Sequence, residues 1–107
     1  MTSERQFKIK VGTLRRVKKD LEYYAEERSA QQAKIDRMRA DNKDEYDIRK
    51  QQEVLVETET MLPDCQSRLR EAVTDVSNFI EAHRDEVKLL DSFKEAQELL
   101  AAIPMLP

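Results

Sequence analysis

Residues Tyr46–Arg84 read YDIRKQQEVLVETETMLPDCQSRLREAVTDVSNFIEAHR, and this stretch decides the fold. Ile48, Leu55, Leu62, Leu69, Val76 and His83 recur every seventh residue. Gln51, Thr58, Cys65, Ala72 and Phe79 each fall three residues after the first five of them. Alternating steps of three and four place all these side chains on one face of an α-helix, turned toward a partner. Such a helix would run about 55 Å at 1.5 Å per residue. Only another helix of similar length can cover it within 107 residues. Pro63 interrupts the stretch one residue after the seam position Leu62, so it lies on the flank of the stripe. There it removes the N–H that would bond the Glu59 carbonyl, at a cost of about 3 kcal/mol. The stretch is read as one helix kinked at Pro63, bending around partners on its inner side. The unbroken seam disfavours two separate helices.

Upstream, Phe7, Val11, Leu14, Val17, Leu21 and Tyr24 form a second helical stripe. It continues through Arg28, Gln31, Ile35 and Met38, two of whose seam positions are polar. Ser3 with Gln6 suggests a capping box at its start. Gly12 costs this helix about 1 kcal/mol relative to Ala. Asp41-Asn42-Lys43-Asp44 then breaks the pattern. Asn42 suits a left-handed helix stop, and Asp44 suits the cap of the next helix, with Glu45 and Asp47 at its positive end. So short a loop makes the two helices antiparallel.

Downstream, Asp85 can cap a third helix whose stripe is Leu89, Phe93, Ala96, Leu100 and Ile103, with Leu90 and Leu99 alongside. Ser92 and Glu95 offer a second, later capping box. Pro104 stops the helix. The expected architecture is therefore all-α, a single domain over residues 1–107. It is an antiparallel three-helix bundle, with helix 1 over about 4–41, helix 2 over about 45–83 and a shorter helix 3 over about 86–103. The short third helix can cover only one end. Leu14, Leu21, Leu69, Val76 and Phe79 lie in that thick end. Arg28, Gln31, Gln51 and Thr58 lie toward the end that has two helices only. Arg28 at a seam position would snorkel or mark an uncovered groove.

Composition agrees. Charged residues make up 38%, with one Gly and no Trp, which suits long solvated helices around a thin core. The net charge of −3 is uneven: residues 1–41 carry +4 and residues 42–107 carry −7. A basic helix beside acidic ones accounts for it. Residues 1–19 hold seven bases against one acid, without interleaved stacking aromatics, which weakens a nucleic-acid reading. That cluster leaves open a peripheral binder of anionic surfaces as a rival. The lone Cys65 makes no intrachain disulfide. No signal peptide or membrane span is visible, so a reducing cytosol is the expected location. One Cys and one His, far apart on the same helix, supply no zinc set, and no phosphate-binding glycine loop or nucleophile–His–acid set can be assembled. Neither cofactor nor catalytic residue is expected.

Four segments resemble the tubulin-binding cofactor A family, also called tubulin-specific chaperone A. They are Lys8-Ile9-Lys10-Val11-Gly12 followed by Leu14-Arg15-Arg16-Val17, then Tyr46 through Leu55, then Met61-Leu62-Pro63-Asp64-Cys65-Gln66, and Lys94-Glu95-Ala96. Together they span nearly the whole chain in order. The resemblance implies a three-helix bundle in the cytoplasm, associated with the cytoskeleton. It would capture β-tubulin folding intermediates after the cytosolic chaperonin and pass them, alongside other tubulin-folding cofactors, toward assembly with α-tubulin. No nucleotide would be hydrolysed, and neither nucleic acid nor membrane would be a partner. The candidate contact residues are Tyr46, Asp47, Arg49, Lys50 and Glu53, at the end left with two helices. Tyr46 would stack, and Arg49 and Lys50 would pair with an acidic tubulin surface. The same residues also fit plain helix-start chemistry, with Tyr46 stapled onto helix 1. The rival function is a structural coiled-coil oligomerisation module, and a homodimer stays open in either case.

Overall fold

The computed structural model describes residues 2–105. Helix α1 spans Ser3–Ala40, α2 spans Glu45–Val87 and α3 spans Asp91–Ala102, with a 3-10 turn at Ile103–Met105. No strand occurs among the described residues. The molecule is a rod of 62 × 19 × 17 Å.

The turn between α1 and α2 forms as its residues dictate. Asn42 takes φ 54°. Its N–H bonds the Arg39 carbonyl at 3.1 Å, and the Lys43 N–H bonds the Met38 carbonyl at 2.9 Å. This pair is a Schellman stop, and it satisfies carbonyls the helix end leaves free. Asp44 then accepts from the Tyr46 N–H at 3.2 Å and starts α2. The chain folds back on itself, so no continuous rod of one helix forms.

Side chains fix the antiparallel register. Phe7 stacks on Phe79 with ring centroids 5.7 Å apart. Lys10 reaches Asp75 at 2.9 Å, and the Gln31 amide donates to Gln51 across the other half. Every seam residue named in α2 is buried or half-buried. In α1 the same holds except at Arg28, which is exposed.

The core is one-ended. Phe7, Val11, Leu14 and Leu21 of α1 pack with the Leu62–Val87 part of α2 and with Phe93 and Ala96 of α3. Beyond it, Ile35 and Ile48 are buried alone near the turn. Helix α3 runs parallel to α1, where Arg15 pairs with Glu95 at 3.0 Å, and antiparallel to α2, where Arg84 lies 5.9 Å from the Phe93 ring. Four of the seven bases at the start of α1 have ion-pair partners, two across helices and two within α1. Lys8 pairs with Glu4, Lys10 with Asp75, Arg15 with Glu95 and Lys18 with Glu22.

Four local expectations change. The cap of α1 is Thr2, whose Oγ1 accepts from the Arg5 N–H at 3.2 Å, and the Glu86 carboxyl is held below the usual glutamate range by the nearby Ser3 hydroxyl and by His83. Pro63 stays exposed inside α2 with its seam neighbours Leu62 and Cys65 buried. Non-helical dihedrals within α2 occur at His83 (φ −130°, ψ 28°), an irregularity twenty residues beyond Pro63 that the sequence does not announce. Asp85 does not cap a third helix. Val87 is fully buried, which holds one more turn of α2 against the core, and the chain turns at Lys88–Leu90. Leu90 stands at the N-cap of α3 without a side-chain bond, Glu95 is engaged by Arg15 rather than in a capping box, and Leu89 points to solvent at 91% exposure.

Candidate docking surface of the two-helix half

Helix α3 defines two sides of the rod. On α1 it lies over Val11 and beside Lys8 and Arg15; on α2 it lies beside Ser77, Ile80 and Arg84. Extrapolated from the Arg15–Glu95 pair, its end at Ile103 comes level with about Tyr23. From there to the Asn42 turn, α1 and α2 form a bare two-helix ribbon.

The expected contact residues sit at the far end of this ribbon, and all five are exposed. Tyr46 is 60% exposed and does not staple onto α1, because no third helix closes the angle there. The Lys50 ammonium lies 5.4 Å from the Tyr46 ring centroid and 3.7 Å from Glu53. The first contact is a cation–π arrangement and the second a weak surface ion pair. Tyr46, Lys50 and Glu53 therefore form one outward row. Arg49 and Asp47 flank it: Arg49 in seven-residue register with the α3-side residues Ser77 and Arg84, and Asp47 in register with Arg68 and Asp75 on the opposite side.

Two further features complete the surface of this half. On the side away from α3, Tyr23 (57% exposed), Val54 (44%) and Met61 (41%) share one flank of the ribbon. The register brings Met61 level with Tyr23, and Val54 follows one heptad on. A solvated helix flank ordinarily carries charge, so apolar side chains there point to contact with another protein. The available signal was the position of Val54 and Met61, each one residue before a seam leucine. On the side of α3, a groove runs past Arg28, Ser29, Gln32 and Asp36 of α1 and Leu55 and Glu59 of α2. Arg28 marks this uncovered groove.

The chemistry of the surface is that of binding. No polar or charged residue is buried among the described residues. No three of His, Cys, Asp or Glu converge on a metal-sized site there. Cys65 is buried in the seam, and desolvation, with Asp20 and Asp64 nearby, pushes its thiol pKa up and keeps it neutral. No described helix is long and apolar enough to cross a membrane.

Comparison with known proteins agrees with this geometry. The family model for tubulin binding cofactor A matches residues 2–100. Tubulin-specific chaperone A of mouse is 39% identical over 101 residues, covering 94% of this chain and 93% of that protein. Tubulin-folding cofactor A of Arabidopsis thaliana is 33% identical over 104 residues, covering 96% and 92%. The human tubulin chaperone cofactor A structure superimposes with a TM-score of 0.81 at 39% identity, covering 96% of this chain and 99% of that one. The Arabidopsis crystal structure gives 0.85 at 30% identity, covering 96% of each. With its length, its three helices and its sequence all matched, the chain belongs to the tubulin binding cofactor A family.

Proposed function

We propose that this protein is a cytoplasmic tubulin-folding chaperone. It binds β-tubulin folding intermediates released by the cytosolic chaperonin and passes them, with other tubulin-folding cofactors, toward assembly with α-tubulin. It is a binding protein, not an enzyme, and works without nucleotide hydrolysis. The names of its relatives, tubulin-specific chaperone A and tubulin-folding cofactor A, support the partner.

The observation that carries the mechanism is the uncovered two-helix half, with Tyr23, Tyr46, Val54 and Met61 exposed on it. A holding chaperone must bind a surface that its client will later bury elsewhere, so the contact must be broad and reversible. A ribbon stabilised from its far end provides that. The core at the α3 end holds the fold, and the open half meets the client without having to unfold. Tyr46 supplies a flat aromatic contact, Arg49 and Lys50 pair with acidic client surface, and Asp47 and Glu53 set the register of those charges.

The test is incubation with β-tubulin freshly released from the chaperonin, with nucleotide removed, followed by native gel electrophoresis. A discrete complex is the expected result. Absence of a complex, together with tight retention on anionic vesicles or RNA, contradicts the proposal.

A further inference from the structure

The sign of the charge along one row of α1 changes where α3 ends. Lys8, Arg15, Glu22, Ser29 and Asp36 follow one another in seven-residue steps on the side that α3 covers. Arg15 is paired with Glu95 of α3, and Lys8 lies beside Asp91. Past Ile103 the same row turns acidic. Glu22 and Glu26 border Ala25 and Ser29, then Asp36 on α1 and Glu59 on α2 border Leu55 and Ala33. Lys18 pairs with Glu22, which leaves Glu26, Asp36 and Glu59 against the Arg28 guanidinium. Neither Glu26 nor Glu59 has an ion-pair partner among the described residues.

The floor also suits a helix. Ala25, Ser29 and Ala33 are small, so a neighbouring backbone can approach to the 8–10 Å spacing of packed helices. Leu55 is half-buried and supplies an apolar contact. From Ala25 to Asp36 the groove offers about 18 Å, room for roughly three turns. It continues the seat of α3 in a straight line between the same two helices.

We propose that this groove is the seat of a third helix supplied by the client. The occupant is an amphipathic segment of tubulin with small or aliphatic side chains on one face and Lys or Arg along its flanks, lying end to end with α3. This rests on the tubulin-chaperone reading above and names the kind of client segment it engages. The charge pattern distinguishes the occupant from a second copy's α3, which carries Asp91, Glu95 and Glu98 against Lys94 and would meet like charge here. While the client helix is seated, the bundle has three helices along its whole length, and the apolar face of that helix is hidden from other nascent chains.

The experiment uses the full chain and β-tubulin freshly released from the chaperonin. Ser29→Trp fills the groove, and the pair Glu26→Lys with Glu59→Lys reverses its rim; circular dichroism and thermal melting establish that each folds. Both are expected to raise the dissociation constant about tenfold or more. The wild-type complex weakens with salt, and the charge-reversed protein loses the part of that dependence that the groove carboxylates supply. A photo-crosslinker at Ser29 is expected to capture a helical, Lys/Arg-flanked peptide of tubulin. Unchanged affinity in both folded variants overturns the seat while leaving the chaperone reading intact. So does crosslinking to an acidic or extended tubulin segment, or a homodimer lost in Ser29→Trp while tubulin affinity is kept. No complex with the wild-type protein overturns both.

Discussion

Gln31 and Gln51 face each other across the two-helix half, the Gln31 amide donating to the Gln51 side chain and backbone oxygens. They occupy seam positions that leucine would fill in a covered bundle. With water reaching both sides, a polar pair loses little and avoids a sticky surface. Replacing Gln31 alone by Ala is expected to cost about 1 kcal/mol, as one partner's bond is lost. Replacing both by Leu is expected to be neutral or stabilising in urea unfolding, with increased self-association in sedimentation. A large loss of stability in the double variant would mean that the pair is needed for folding.

Leucines of the same seam should not be equivalent. Leu69 is buried in the three-helix end, and Leu55 is half-buried in the open one. Leu→Ala at a buried site typically costs about 2–5 kcal/mol. Leu69→Ala is expected within that range and Leu55→Ala below it, measured by chemical denaturation at equal protein concentration. Equal losses would contradict a fold stabilised from one end.

Two backbone positions test the reading of α1 in opposite directions. Asn42 holds φ 54° at the turn, so Asn42→Ala is expected to lose about 1 kcal/mol to left-handed strain, and Asn42→Gly to lose none. Gly12 lies inside α1 with no such requirement, and a Cβ there meets only the flexible Arg15 guanidinium, at 3.3 Å. Gly12→Ala is expected to gain up to about 1 kcal/mol. Thermal melts of the three variants check both.

These positions also show what a sequence can carry. The seven-residue seam, the Asn42 stop, the Asp44 cap and the direction of the second helix are set by residues adjacent in sequence or one turn apart, so they were legible. The end of α2 was not. Arg84–Glu86 reads as a polar break locally, but Val87 is buried in the core shared with α1 and α3, and that burial adds a turn to the helix. The first turn of α3 shifts with it, sending Leu89 outward and Leu90 inward. Exposure of Tyr46 followed from counting helices at that end. The apolar row of Tyr23, Val54 and Met61 did not, because it depends on the register between helices rather than on the spacing within either one.

Cys65 gives a pH test. Burial raises its thiol pKa above the ordinary cysteine value, so the folded state holds the proton more tightly than the unfolded state. Its contribution is therefore fully present below about pH 9 and is lost as the pH rises through the folded value. The difference in stability between wild type and Cys65→Ala is expected to shrink over the alkaline range and to be constant below it. A thiol reagent at neutral pH should modify Cys65 only as fast as the chain unfolds. Rapid modification of the native protein would contradict a buried, neutral thiol.

The proposed mechanism assigns the fold to one half of the rod and the client to the other. Hydrogen exchange of the protein with and without freshly released β-tubulin tests it most directly. New protection is expected between about Glu22 and Met61, on α1 and α2 around the open half, with residues in the α3-covered end unchanged. Protection concentrated instead in residues 3–20 and 66–102 would contradict it, and would place the client on the covered end of the bundle.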